Sequence, residues 1–186
     1  MKKLAILVIP FALYGCVPQQ QYNQEVQQAQ QLQYMNQTYQ QLNQNLQTEV
    51  NAEQVKVEQL QNRLKVTMVD EILFPEGGWE LHEKGRATLA KVVPSLQGLA
   101  GKRILVQGYT DSLPVEGPLR ERFPTNWELS AGRSAQVVRY LQEQGVDPTE
   151  LEVAGLGQYH PLAPNDTPEG RKKNRRIDII IEDANF

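Results

Sequence analysis

Pro124-Thr125-Asn126-Trp127-Glu128-Leu129-Ser130-Ala131-Gly132-Arg133 opens a helix. Thr125 can cap its N-terminus, and Glu128 three residues on completes a capping box. Trp127, Ala131, Ala135, Val138 and Leu141 follow at helical spacing and predict a core-facing stripe. Asn126 and Arg133 lie two turns apart, so they fall on one side of the helix beside that stripe. A helix N-terminus, an amide and a guanidinium then face one way, which suits a carboxylate. Upstream, Val106-Gln107-Gly108-Tyr109-Thr110-Asp111 ends a predicted strand on an acid. Downstream, Gly170-Arg171-Lys172-Lys173-Asn174-Arg175-Arg176 leads into the last strand.

At Gly108–Asp111, at Asn126–Ser130 through Arg133, and at Gly170-Arg171 through Asn174-Arg175-Arg176, the chain resembles the OmpA-like peptidoglycan-binding domain. The long loop Ser112–Thr125 and the phrase running from Phe123 to Ser130 are most similar to its MotB C-terminal branch. The resemblance covers roughly Val66 to Glu182, and three motifs in order make it specific. It implies a βαβαβ-type two-layer α+β sandwich and a ligand, the diaminopimelate side chain of peptidoglycan stem peptides. That side chain ends in an ammonium and a carboxylate on one carbon. In the implied site Asp111 accepts from the ammonium, and Arg133 grips the carboxylate with a planar fork that lysine would not reproduce. Thr110 and Asn126 add hydrogen bonds, and Arg175 reaches the same pocket. A few charge-assisted hydrogen bonds of about 1.5–3 kcal/mol each reach micromolar affinity. Read from the residues alone, Asp111 and Arg133 pairing with each other is the simpler account.

The chain has 186 residues and a formal net charge of −3, which argues against nucleic acid as a partner. A single cysteine forbids an internal disulfide. Its place is informative. Met1-Lys2-Lys3 is basic, Leu4–Leu13 is apolar but too short to span a bilayer, and Leu13-Tyr14-Gly15-Cys16 resembles a bacterial lipobox. The reading is a lipoprotein signal peptide over residues 1–15 and a lipidated N-terminus at 16–18, with acyl chains such as palmitate on Cys16. Val17 after the cysteine points to the outer membrane, facing the periplasm, by resemblance to sorted lipoproteins.

Residues 19–64 form a glutamine-rich tract with no glycine or proline. Tyr22, Val26, Ala29, Leu32, Met35, Tyr39, Leu42, Leu46, Val50, Val57, Leu60 and Leu64 recur in threes and fours. The period predicts a self-associating helical coiled-coil stalk about 65–70 Å long. A polar disordered tether is the competing reading of such a composition.

Residues 65–186 form the globular domain. Its predicted order is a strand at Val66–Phe74 and a helix at Glu80–Leu99 kinked by Pro94. A strand at Arg103–Tyr109, a helix at Thr125–Gln144, a strand at Leu151–Ala154, a short helix from Thr167 and a strand at Arg176–Glu182 follow. Together they predict one mixed sheet with two helices on one face.

No Gly-x-Ser-x-Gly turn, metal-ligand set or acid pair suggests an enzyme, a metal site or a cofactor. Trp79 and Trp127 read as core or rim aromatics in preference to a sugar platform. The function that results is an outer-membrane lipoprotein tethering the envelope to peptidoglycan. The alternative is a wall-anchoring component of a larger secretion, pilus or motor-associated complex, assembled with copies of itself or other envelope proteins through the stalk.

Overall fold

The computed structural model describes residues 18–99 and 101–184, so the leader and Cys16 lie outside the described residues. A five-stranded sheet runs in the order β1-β2-β5-β3-β4, from β1 (Val55–Leu60), β2 (Arg63–Val69), β3 (Lys102–Tyr109), β4 (Leu151–Gly155) and β5 (Arg176–Asp183). β3 and β4 pair in parallel and the other neighbours are antiparallel. The architecture is the predicted mixed-sheet α+β sandwich.

Alternation along each strand selects one face for the helices. Leu64, Val66 and Met68 of β2, Ile177, Ile179 and Ile181 of β5, and Ile104 and Val106 of β3 share a single core. Over them lie α4 (Glu83–Ala90), α5 (Val93–Gln97) and α7 (Asn126–Glu143). Leu89, Val92, Leu96, Val137 and Leu141 fill the layer between. The single helix expected over Glu80–Leu99 is two, because Pro94 takes the first turn of α5, where its missing N–H costs nothing.

The glutamine-rich tract departs from expectation. α1 spans Gln19–Asn45, α2 adds Gln47–Asn51, and Glu53 at φ 55° then turns the chain out of the helix. The last part of the predicted stalk is β1 and the start of β2. Val55-Lys56-Val57-Glu58 alternates with period two and pairs with Lys65–Met68, so the strand ladder wins there over an apolar spacing that also fits a helix. Met35, Leu42 and Leu46 are buried against the domain's own core and are unavailable as a coiled-coil seam. Tyr22, Val26 and Leu32, at 56%, 37% and 50% exposure, with Ala29 between them also exposed, remain an unpartnered stripe among the described residues.

β2 also stops sooner than predicted. Asp70–Leu73 is a helical turn, α3, and the Asp70 N–H donates to the Arg175 carbonyl. Two acids in a row suit a first helical turn better than a pleated strand.

Candidate functional site

α7 begins as predicted. Thr125 and Glu128 form the capping box, with Thr125 N–H donating to Glu128 Oε2 at 2.9 Å and Trp127 N–H donating to Thr125 Oγ1 at 3.2 Å. The buried stripe, however, is Asn126, Leu129, Ser130, Arg133, Ser134, Val137 and Leu141, one position round from the expected one. The cause lies in the sheet. A Cβ on Gly108 would sit 2.2 Å from the Ser130 carbonyl oxygen, and one on Gly155 would sit 2.5 Å from the Ala131 nitrogen. These glycines let the first turns of α7 press against β3 and β4 through Ser130 and Ser134, which turns Trp127 outward to 46% exposure.

That docking sets one wall of a cleft of about 780 Å³. The other walls are the Phe74–His82 connection, the loop after β3, and Arg175 at the head of β5. All five residues named from sequence, Thr110, Asp111, Asn126, Arg133 and Arg175, line it. Their pairing differs from the sequence reading. Arg133 does not meet Asp111. Its Nη1 lies 3.0 Å from Asp70 Oδ2, and its Nε donates to the Gly78 carbonyl at 3.1 Å. Asp111 Oδ2 instead accepts from Arg175 Nη1 at 2.8 Å, while Arg175 Nη2 reaches Glu71 at 3.3 Å. Arg133 is 5% exposed and fixed between Asp70 and the Gly78 carbonyl, whereas the Arg175 side chain is 30% exposed at the mouth.

Asn126 and Thr110 shape the loop between them. Asn126 Nδ2 donates to the Leu113 carbonyl at 2.9 Å and to Gln158 Oε1 at 2.8 Å, and Thr110 Oγ1 donates to the Asp111 carbonyl at 2.9 Å. Arg176, next in the chain, is buried: it stacks 3.6 Å from the Tyr109 ring centroid and reaches Asp178 at 3.4 Å.

Asp70 escaped the sequence reading because it sat inside a supposed strand. It is buried, and its Oδ1 has no partner among the described residues. Burial pushes its carboxyl up to about 6, with the nearby Arg133 and Arg175 charges opposing and Glu71 and Asp111 adding. The unpartnered oxygen is why one close guanidinium does not offset the desolvation. Burial in turn lowers the Arg133 guanidinium.

The long loop is a built wall. Val115, Phe123 and Leu129 form a second small core with Trp79 and Leu119. Trp79 and Phe123 meet edge to face at 5.4 Å, and the Arg122 guanidinium lies 4.0 Å over Trp79. Within the loop, Pro118–Arg122 forms α6 after Gly117 turns at φ 60°. Asp70, Glu71, Glu76, Asp111 and Glu116 thus face Arg133 and Arg175 across one cleft. Such an acidic excess disfavours a bare anion and favours a ligand that brings an ammonium. Among the described residues no cluster of histidine, cysteine and acids could hold a metal ion, and no helix is long and apolar enough to cross a membrane.

The chain is similar to several known proteins. Peptidoglycan-binding protein ArfA of Mycobacterium tuberculosis is 34% identical over 122 residues, covering 66% of this chain. The chain spans only 35% of ArfA's own length. Outer-membrane lipoprotein YfiB of Pseudomonas aeruginosa is 32% identical over 141 residues, covering 73% of this chain and 80% of YfiB. A MotB-like protein from Desulfovibrio vulgaris superposes with a TM-score of 0.74 at 28% identity, covering 84% of this chain and 98% of that one. Residues 73–175, which hold the cleft from Phe74 to Arg175, match the OmpA family, and the chain belongs to that family.

Proposed function

We propose that this chain is a non-covalent anchor for peptidoglycan, held in the outer membrane by lipid on Cys16 and facing the periplasm. The observation that supports it most is the convergence of Thr110, Asp111, Asn126, Arg133 and Arg175 on one open cleft. The names of ArfA and YfiB support the wall and the membrane halves of the reading.

In this reading the ligand is the free end of diaminopimelate. Its ammonium enters the acidic side of the cleft and is accepted by Asp111. Its carboxylate meets Arg175, which can leave Glu71 at little cost because both groups are partly in water. Arg133 holds the floor and offers its remaining N–H groups. Asn126 and Thr110 act by fixing the Asp111–Leu113 backbone. Recognition needs no bond to break, so no catalytic residue is assigned.

Co-sedimentation of the intact chain in detergent with diaminopimelate-type sacculi tests the proposal, beside Asp111→Asn and Arg175→Gln. The parent should pellet with the sacculi and both variants should stay largely in solution. Parent and variants pelleting alike would remove the cleft from wall binding. The exposed Tyr22, Val26 and Leu32 favour a second reading, in which this stripe joins the anchor to copies of itself or to other envelope proteins. A monomer at all concentrations, with no cross-linked partner in the envelope, would sink that reading.

A further inference from the structure

We propose that Trp127 and Tyr159 form a stacking platform for an uncharged sugar ring, placed to receive the glycan strand whose stem peptide occupies the cleft. The inference rests on the peptidoglycan reading and adds a second ligand class to it.

Trp127 is 46% exposed and Tyr159 58% exposed, and their rings stack at 4.9 Å with planes 27° apart. Each ring shelters the other on one side, and neither belongs to either hydrophobic cluster. Among the described residues the Trp127 indole N–H and the Tyr159 hydroxyl have no hydrogen-bond partner, so both are available to a ligand's hydroxyl or acetamido groups.

The pair is not on a loose loop. Gly157 N–H donates to Ser130 Oγ at 3.0 Å, and Thr110 N–H donates to the Gly157 carbonyl at 2.9 Å. Leu156 N–H donates to the Gly108 carbonyl at 2.9 Å, and Asn126 holds Gln158. Gly157 adopts φ 56°, and a Cβ placed on it would sit 3.6 Å from the Trp127 ring and from the Asn126 carbonyl. The platform is therefore fixed to Thr110 and Asn126, two residues of the cleft wall, and Trp127 follows Asn126 directly in the chain. Two exposed aromatics tied to the wall of a charged cleft through Asn126–Gln158 and Thr110–Gly157 match a ligand with a charged end and a neutral, ring-shaped neighbour. Amino-sugar rings present C–H groups on one face for such stacking, and the lactyl carboxyl of the glycan loses its charge once the peptide is joined to it.

The test compares the intact chain with three probes by calorimetry. They are a free stem tripeptide ending in diaminopimelate, the same peptide on its disaccharide, and the peptide-free disaccharide at millimolar concentration. The parent should bind the disaccharide-peptide about fivefold to tenfold more tightly than the free peptide. Trp127→Ala and Tyr159→Ala should erase that difference and leave the free peptide unchanged. Both rings are outside the core, so these variants fold. Equal affinity of the parent for peptide and disaccharide-peptide overturns the platform, as does an equal loss for both probes in Trp127→Ala. Concentration-dependent dimers that vanish in Trp127→Ala also overturn it, by giving the patch to a second copy of the chain. If the free peptide does not bind the parent, the cleft reading falls. The platform then stands only if the disaccharide alone binds in a Trp127-dependent way, and falls if it does not.

Discussion

At the scale of single residues, the cleft divides into a buried, fixed guanidinium and a half-exposed one paired with Asp111 and Glu71. Arg133 is a strut: removing it would strand Asp70 as a buried, unpaired carboxylate, a loss on the order of 3–5 kcal/mol. Arg175 at the mouth is the one that can exchange partners. Asp70 adds a pH dependence of definite sign. Its folded-state carboxyl titrates at about 6 against an ordinary value of 3.8, so between these values the folded chain keeps a proton that the unfolded chain has released. Its contribution to stability is full below the ordinary value and is lost as pH rises through about 6. Asp70→Asn, fixed in the neutral form, lacks that slope. The parent should lose up to about 3 kcal/mol relative to Asp70→Asn between about pH 4 and about pH 7. Thermal melts across this range check it, and curves that run parallel would refute it. Asp111, Asn126 and Arg175 were legible in the sequence because they sit in motifs at strand and helix ends. Asp70 was not, because its role depends on Arg133, 63 positions away, and on a burial that no local pattern encodes.

At the scale of elements, α1 shows what periodicity can and cannot decide. The apolar spacing from Tyr22 to Val50 marked a helix correctly, because glutamine tolerates helix and nothing breaks it. Which surface the stripe meets is a tertiary question, and the answer changes midway. From Gln31, which bonds Asp183, the helix lies on its own domain, and before it the stripe faces water. Leu42→Ala should therefore cost about 2–4 kcal/mol, as a fully buried core leucine does. Leu32→Ala should change monomer stability by under about 0.5 kcal/mol. Chemical denaturation at low protein concentration separates the two. Equal effects would mean that α1 is not docked. The β1–β2 hairpin was hidden for a related reason: Val57, Leu60 and Leu64 step by three and four as a helix does, whereas the buried strand face is Val55 and Val57 and leaves Leu60 exposed.

At the scale of the whole molecule, the two layers and the cleft are one construction. The βαβ order and mixed sheet were readable from alternation and turn residues, whereas the rotation of α7 was not, since it follows from glycines on strands that it touches only after folding. Gly108→Ala adds no atom to the cleft, yet its Cβ cannot fit beneath Ser130. It should both destabilise the fold, by about 3 kcal/mol or more, and weaken wall retention by moving Asn126. Intact retention with a lowered melting temperature would uncouple the two. α1 meets the domain beside Asp183 and Gly98, at the end of the sheet where β5 finishes and β3 begins. The cleft sits at the opposite end, where β3 finishes and β5 begins. The chain leaves α1 for β1 at Val55, which pairs with Met68 opposite Ile177, at the cleft end of the sheet. In the proposed anchor a pull from the membrane side would therefore act on α1 before the sheet, peeling the docked helix away from its Gln31 end while the β3–β5 ladder and the cleft stay whole.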